Sequence, residues 1–340
     1  MARRTVPFLM STLFAVPALG AEQALPTTEP PVVPLPLEQY DNDKLSGGPS
    51  KDGIPSIDDP RFWSVDRADA FLEDEDRVIG VYRNGKARAY PQRILVWHEI
   101  VNDTIAGDPV AVTYCPLTGT ALGFERGETE LGVSGRLVNS NLIMYDRATD
   151  SFWPQILGTA INGPLAGEGL EEFRVFWTTW ENWRDRHPDT EVLSSDTGFV
   201  RNYRHDPYGD YTPVSGYYAE DSGTIFPVQH EDDRYPNKRE VFGFRSSNGA
   251  VAVDLDHLAE EGSLTVENGD NHYLVLHDAG LDTAWVYRGD DPIDVPEGIE
   301  FNAAGPSHAA LDSLEAVNGF EAMWFAWVAF YPDTQVIDGS

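Results

Sequence analysis

The feature that most constrains the fold of this chain is a motif that occurs twice. The pattern Trp-x-x-Trp-x4-Pro-Asp-Thr-x-Val runs from Trp180 to Val192 and again from Trp324 to Val336. Two tryptophans three residues apart lie on the same face of a helix, and a proline just beyond them ends it. Chance is a poor explanation for such a spacing match, so the chain is predicted to contain two copies of one structural unit.

Weaker paired signals precede each copy in the same order. Asn84-Gly85 and Asn248-Gly249 both separate apolar runs, which is typical of a β-hairpin turn. Apolar or alternating runs at 109–115, 119–126 and 138–146 predict strands, and Thr178-x-x-Glu181 predicts a helix start through a capping box. We therefore expect a β-rich α+β fold with two pseudo-symmetric lobes that arose from an internal duplication.

The predicted organisation has five segments. The basic start, the apolar run 6–19 and the small residues that follow predict a secretory signal peptide, hence a secreted or periplasmic protein. No later stretch is long and apolar enough to span a bilayer. The segments are a signal peptide at 1–21, a Pro-rich linker or strap at 22–60, a first lobe with the candidate site at 61–200, a Tyr-, Gly- and Asp-rich connector at 201–237, and a second, degenerate lobe at 238–340.

The charge of the chain excludes one class of partner. Lys and Arg number 24 against 56 Asp and Glu, a formal net charge of −32. Nucleic-acid binding needs a basic surface, so a nucleic-acid partner is not expected. Only four of the basic residues are lysines: Lys44, Lys51, Lys86 and Lys238. The expected partner is a small molecule or a metal ion.

The two predicted lobes differ in their reactive side chains. The first lobe contains Cys115, the only cysteine, and the His98-Glu99 pair, and the second lobe has no counterpart of either. A thiol becomes reactive when a nearby cation or base lowers its pKa, which makes His98 a candidate base. Two other interpretations stay open: Cys115 as a small buried core residue, and His98 as a helix-end residue bonded to backbone.

Polar residues around this pair complete the candidate site. The candidate catalytic residues are Cys115, His98, Asp103, Asp146 and Arg147. The candidate substrate-binding residues are Arg136, Asn141, Ser151 and Gln155. The function that these residues predict is thiol-redox chemistry or soft-metal binding at a Cys/His-centred polar site.

A metal site is an alternative use of the same residues. Cys115, His98 and Met144 have the ligand types that copper accepts, although their spacing follows no fixed motif. Copper is therefore the cofactor that these residues suggest, and the sequence alone demonstrates none.

Two further functions remain as alternatives. A non-catalytic secreted binding module for a sugar or peptide would use Tyr208, Tyr211 and Tyr217 of the connector. A hydrolase would use His98 as base and Asp103 to orient it.

Several of these motifs together resemble the domain of unknown function 3179 family of bacteria and haloarchaea. The similarity spans about residues 50–338 and is carried by Lys51–Ile57, Ala89–Pro91, Trp97–Asp103, Val112–Gly119, Ser134–Gly135, Asn141–Arg147 and Ser151–Gln155. The resemblance implies an exported or envelope protein and brings no reaction with it. Some members carry Cys-Pro-Leu-Cys where this chain has Cys115-Pro-Leu-Thr118, so a dithiol exchange within the motif is not expected here.

Overall fold

The structure, a computed structural model, describes residues 25–30 and 32–339. The predicted signal peptide at 1–21 lies outside the described residues. Within the described part, no helix has the length and apolar character that crossing a membrane requires.

The N-terminal segment lies against the body of the protein. Its elements are β1 (Thr27–Thr28), α1 (Leu37–Asn42), β2 (Leu45–Ser46), β3 (Phe62–Trp63) and α2 (Val65–Ala68). Thr27 pairs with Leu170, and the fully buried ring of Tyr40 stacks on Phe330 at 5.9 Å. The proline-rich chain is thus fixed along its length by strand pairing and by an aromatic anchor.

Three larger sheets form most of the N-terminal half of the protein, residues 61–200, and β12 of this half pairs with β1. The elements are β4 (Arg77–Arg83), β5 (Lys86–Pro91), α3 (Gln92–Leu95), β6 (Ile100–Ile105), β7 (Asp108–Cys115), β8 (Thr120–Glu125), β9 (Leu131–Val138), β10 (Asn141–Asp146), β11 (Phe152–Pro154), β12 (Gly169–Leu170), β13 (Glu172–Phe173), β14 (Phe176–Thr179), α4 (Trp180–Arg186) and β15 (Glu191–Leu193). The strand orders are β14-β4-β5-β15-β3, β13-β8-β7-β6 and β11-β10-β9-β2. Cys115 is the last residue of β7, beside the hairpin β9–β10.

The C-terminal half, residues 238–339, follows a connector that contains one 3-10 turn at Gly216–Tyr218. Its elements are β16 (Glu240–Ser246), β17 (Gly249–Asp254), α5 (Leu255–Glu261), β18 (Ser263–Asn268), β19 (Asn271–Asp278), β20 (Thr283–Gly289), β21 (Glu300–Asn302), β22 (Gly305–Ser307), β23 (Glu315–Val317), β24 (Gly319–Met323), α6 (Trp324–Phe330) and β25 (Gln335–Ile337). Its larger sheets have the orders β24-β16-β17-β25 and β18-β19-β20-β23.

The element content confirms the prediction of a β-rich α+β fold. One sheet in each half has the same arrangement: the order β14-β4-β5-β15 corresponds to β24-β16-β17-β25, and the last pair is parallel in both. The N-terminal half differs by the inserted hairpin β9–β10, which has no equivalent of that size before β23.

The repeated tryptophan motif makes the same hydrogen bond in each half. The indole N–H of Trp183 donates to Thr190 Oγ1 over 3.0 Å, and that of Trp327 donates to Thr334 Oγ1 over 2.9 Å. All of these residues are buried. A buried indole N–H needs an acceptor, which explains why the threonine recurs at a fixed distance from the tryptophan.

A glycine accommodates each of these indoles. A Cβ at Gly80 in β4 would collide with the Trp183 ring, and one at Gly243 in β16 would collide with the Trp327 ring. The helices α4 and α6 therefore pack closely on β4 and β16, each of which is the second strand in the order of its sheet. All four tryptophans of the repeated motif are fully buried and anchor the core.

Two local predictions need correction. The predicted strand 138–146 is two strands, because Asn139 and Ser140 adopt φ values of 52° and 60° and form the turn between β9 and β10. The N-cap of α4 is Thr179, whose side chain accepts from the backbone N–H of Asn182, rather than Thr178.

The largest apolar cluster joins the two halves of the chain. It contains Cys115 and Trp153 of the N-terminal half together with Trp324 and Trp327 of α6. The candidate thiol therefore lies in a core to which both halves contribute.

Candidate functional site

Cys115 is enclosed at the end of β7. Its side chain is 1% exposed, and its sulfur accepts a hydrogen bond from the backbone N–H of Leu142 over 3.4 Å and lies 3.9 Å from the carbonyl oxygen of Ser140. Burial raises the pKa of the Cys115 thiol to about 11, since a thiolate loses its hydration there. The resting group at neutral pH is therefore the thiol.

Glu99 lies four residues beyond the end of α3, and its carboxyl group interacts electrostatically with Cys115. It ends the helical turn with a left-handed φ of 58°, and its carbonyl oxygen accepts from the backbone N–H of Tyr114 over 2.7 Å. Burial raises the pKa of Glu99 to about 8. Its negative charge, when present, raises the pKa of Cys115 further, so the two groups disfavour each other's ionisation.

Lys238 brings a buried amine to the same region from the start of the C-terminal half. Its Nζ lies 3.3 Å from the centre of the Tyr217 ring and 4.3 Å from that of Phe325. Its Nζ is buried and has no hydrogen-bond partner among the residues described. Burial lowers the pKa of Lys238 to about 7, while a thiolate at Cys115 would act in the opposite direction.

Two tyrosines of the connector cover these groups. The Tyr217 hydroxyl donates to the carbonyl oxygen of Leu117 over 2.7 Å, two residues beyond Cys115. The Tyr208 and Tyr217 rings lie 6.0 Å apart. Burial raises the pKa of both phenols, and charge on Cys115 adds to the effect. The phenols are therefore neutral donors at physiological pH.

His98 makes its contacts away from the thiol. Its Nδ1 lies 2.7 Å from the carbonyl oxygen of Pro55, and its Nε2 lies 2.7 Å from the hydroxyl of Tyr203. Burial lowers the pKa of the His98 imidazole. Because a carbonyl only accepts, the neutral ring carries its proton on Nδ1 and accepts at Nε2, so neither nitrogen is available to Cys115 in this arrangement.

Asn141 and Gln155 belong to a buried polar network behind Cys115. Asn141 Nδ2 donates to Thr118 Oγ1 over 3.1 Å and to Gln155 Oε1 over 3.0 Å. Thr120 Oγ1 donates to the same Gln155 oxygen over 2.7 Å. A network in which these partners satisfy each other fixes local geometry, and here it holds the loop after Cys115 against β10.

Asp146 and Ser151 shape the turn between β10 and β11. Asp146 is fully buried and accepts from the backbone N–H of Thr149 over 2.6 Å and from the indole N–H of Trp153 over 3.1 Å. Ser151 Oγ lies 2.7 Å from Thr149 Oγ1 and accepts from the backbone N–H of Leu165. Thr149 lies in the turn, Trp153 in β11 and Leu165 beyond β11, and none of these contacts involves Cys115.

The remaining predicted residues lie in ion pairs or at the surface. Asp103 accepts from Arg88 and Tyr90. Arg147 pairs with Asp58 over 2.8 Å and also with Glu130. Arg136 is exposed. Within the described part of the chain, none of the hydrogen bonds or ion pairs of these three residues involves Cys115.

The copper alternative receives no cluster of ligands from the described residues. Among residues 25–30 and 32–339, no three or more His, Cys, Asp or Glu side chains are grouped so that they would hold a metal ion. Met144 is buried in β10, opposite Trp153 of β11. A Cys115–His98–Met144 centre would require His98 to give up at least one of its two hydrogen bonds.

Sequence reasoning did not place Glu99, Lys238 or Tyr217 beside Cys115. The one available signal was compositional: Lys238 is one of only four lysines and stands at the end of the connector. Of the connector tyrosines predicted for a sugar or peptide ligand, Tyr217 is 9% exposed, Tyr208 and Tyr211 are half-buried, and Tyr211 stacks on Tyr218 at 4.1 Å.

The chain was also compared with known proteins. No curated protein and no solved structure is significantly similar to it. A family model described as "Protein of unknown function (DUF3179)" matches residues 51–334, which includes Glu99, Cys115, Tyr217 and Lys238. The match covers most of the chain and confirms the resemblance carried by the sequence motifs, so this chain belongs to the DUF3179 family.

Proposed function

We propose that this chain is an exported protein that performs thiol chemistry at a closed polar site, with Cys115 as the reacting group and Lys238 as its base. Export rests on the predicted signal peptide. The single observation that carries the chemistry is the buried, unpartnered amine of Lys238 in the electrostatic field of Cys115.

The protonation states of the two groups suit this role. The Lys238 pKa of about 7 leaves a large neutral fraction at physiological pH, whereas the Cys115 pKa of about 11 keeps the sulfur protonated. A neutral amine takes up a proton, and the ammonium that results stabilises a thiolate nearby. Lys238 thus fills the role for which the sequence had suggested His98.

The chemical step follows from these states. Cys115 passes its proton to Lys238, and the sulfur lone pair forms a bond to the electrophilic carbon of a polarised double bond. The electron pair of that double bond moves to its acceptor atom, which takes the proton back from Lys238. Glu99, protonated below its pKa of about 8, adds no negative charge that would oppose the thiolate.

We infer also that the two halves descend from one duplicated unit. The equal strand orders of the two sheets and the equal Trp–Thr hydrogen bonds support this inference. The proposed site uses Cys115 from the N-terminal half and Lys238 from the start of the other half, so the C-terminal half contributes to the chemistry as well as to the core.

The rate of alkylation of native Cys115 by iodoacetamide across pH 6–10 tests the proposal. We expect the ammonium form of Lys238 to lower the pKa of the Cys115 thiol by about one unit. The variant Lys238→Met should therefore slow alkylation about tenfold at pH 8. The control Lys86→Met, at an exposed position, should leave the rate unchanged. An equal rate in the Lys238→Met and wild-type proteins, with both folded by circular dichroism, would overturn the role of Lys238.

A further inference from the structure

The strand β18 is an edge strand of the C-terminal half, and it corresponds in position to β6 of the N-terminal half. Each has six residues and lies at the end of a four-stranded sheet, in the orders β18-β19-β20-β23 and β6-β7-β8-β13. Each is joined to the next strand by a two-residue turn. Counting back from these turns places Ser263 at the position of Ile100 and Thr265 at that of Asn102.

The N-terminal segment covers the outer edge of β6. The backbone N–H of Ile57 donates to the carbonyl oxygen of Ile100 over 2.9 Å, and that of Asn102 donates to the carbonyl oxygen of Ile57 over 2.8 Å. Ile57 bridges Val101 in the parallel sense, and both side chains are buried in the same apolar cluster. An extended segment with one apolar side chain thus completes this edge.

The corresponding edge of β18 has no such cover. The carbonyl oxygen of Gly262 accepts from the backbone N–H of His277 in β19 over 2.9 Å. Because bonding alternates along an antiparallel ladder, the backbone groups of Ser263 and Thr265 point away from β19. In the part of the chain that the structure describes, these outward groups form no hydrogen bond. Such a row of free donors and acceptors is a template for another strand.

Leu264 indicates which kind of side chain is missing at this edge. It takes the position of Val101 and packs against the apolar cluster of the C-terminal half. Leu264 remains partly exposed, whereas Val101, beside Ile57, is 0% exposed. An apolar residue on a segment added to β18 would remove the remaining surface of Leu264 from water, which favours binding.

The charges at this edge favour a basic segment. Glu261, Glu267 and Asp270 are exposed on β18 and at its two ends. The sequence between Arg245 and Arg288 contains no lysine or arginine that would offset them. A second copy of this chain, which also has a net charge of −32, would be repelled at such an edge. The observations therefore favour a different, basic partner.

We propose that β18 binds an extended segment of a partner protein as a parallel strand, with an apolar residue beside Leu264 and basic residues next to it. The backbone of the segment donates to Ser263 and accepts from Thr265, as Ile57 does at β6. In strand addition the backbone bonds give affinity and the side chains give specificity. This inference goes beyond the proposed thiol chemistry, because none of these residues belongs to the Cys115 site.

A peptide derived from the covering segment tests the inference. The probe is fluorescein-labelled and has the sequence of residues 53–60 with Asp58→Lys and Asp59→Lys, and fluorescence anisotropy measures its binding to the full chain. It should bind saturably and at least about tenfold more tightly than the unsubstituted acidic peptide. A lysine peptide with Ile57→Asn should bind weakly. Absence of binding by the lysine peptide, or equal affinity of the three peptides, would overturn the inference.

Two substitutions at one position of β18 locate the binding. Thr265→Pro removes the outward N–H and is tolerated at a free edge, so the affinity should fall at least about tenfold. Thr265→Val keeps the N–H and should keep the affinity. Equal affinity of the two variants would contradict the proposed strand pairing.

A change in the peptide gives the same test without any change in the protein. N-methylation of its isoleucine removes the donor to Ser263 and should weaken binding by a similar factor. If the methylated peptide binds as tightly as the parent peptide, the proposal fails, whether or not Thr265→Pro folds.

Sedimentation of the chain without peptide tests a second copy as the occupant. The chain should be a monomer even in salt that screens its surface charge. A dimer that Thr265→Pro abolishes would mean that two copies pair through β18, and the assignment to a basic partner would be wrong. None of these measurements depends on Cys115, so their failure leaves the alkylation test of the thiol proposal unaffected.

Discussion

The Lys238 Nζ lies 3.3 Å from the centre of the Tyr217 ring, and no acceptor among the described residues forms a hydrogen bond with it. The charged form of this amine is therefore stabilised by the quadrupole of the ring and by little else, which is less than water would offer. This loss of hydration explains why the pKa of Lys238 is lowered. It also makes the stability of the fold depend on the protonation of Lys238.

The first prediction concerns Lys238 and stability at alkaline pH. Because the Lys238 pKa falls from 10.5 to about 7 on folding, the unfolded chain binds one more proton than the folded one between these values. The contribution of Lys238 to the free energy of unfolding should therefore rise with pH from about 7 to 10.5, by up to about 1.4 kcal/mol per unit.

Urea denaturation of the wild-type protein and of Lys238→Met across pH 6–10 measures this contribution. For Lys238→Met, the free energy of unfolding should rise less steeply with pH than for the wild type. The variant should also be the more stable protein below pH 7, where the wild type carries an unpaired buried ammonium. Parallel curves for the two proteins would contradict the prediction, and Lys86→Met is the matched exposed control.

The second prediction concerns Glu99 and has the opposite sign. Burial raises the Glu99 pKa from 4.5 to about 8, so the folded chain holds a proton that the unfolded chain has lost between these values. The Glu99 contribution to stability should fall as pH rises from about 4.5 to 8. Glu99→Gln should remove this fall, whereas Glu128→Gln, at an exposed position, should leave it in place.

The third prediction separates His98 from the thiol. The two hydrogen bonds of His98, to Pro55 and Tyr203, assign it to the support of the N-terminal segment. His98→Gln should lower the thermal midpoint and leave the pH dependence of Cys115 alkylation unchanged. A shift of that profile by a full pH unit would restore His98 as the partner of Cys115.

The sequence was sufficient for those features that depend on local pattern. The Trp-x-x-Trp spacing identified α4 and α6, and the apolar run that ends at Cys115 located β7 within one residue. The residues of the candidate site were harder to predict from local sequence pattern. Which member of the His98-Glu99 pair faces Cys115 depends on a left-handed φ at Glu99, and Lys238 reaches the site only through tertiary packing.

The last prediction uses the repeated motif as an internal comparison. Thr334→Val and Thr190→Val each remove the acceptor of a buried indole N–H, of Trp327 and of Trp183. An unsatisfied buried donor costs about 1–3 kcal/mol, so each variant should lose that much of its free energy of unfolding.

Urea denaturation measures both losses. The control is Thr265→Val, at an exposed position of β18. Its free energy of unfolding should stay within about 0.5 kcal/mol of the wild-type value. Because the two bonds have nearly equal lengths and both indoles are fully buried, the two losses should agree closely. A loss in one half without the other would mean that the second indole finds a substitute acceptor, and that the motif does not have the same energetic role in both halves.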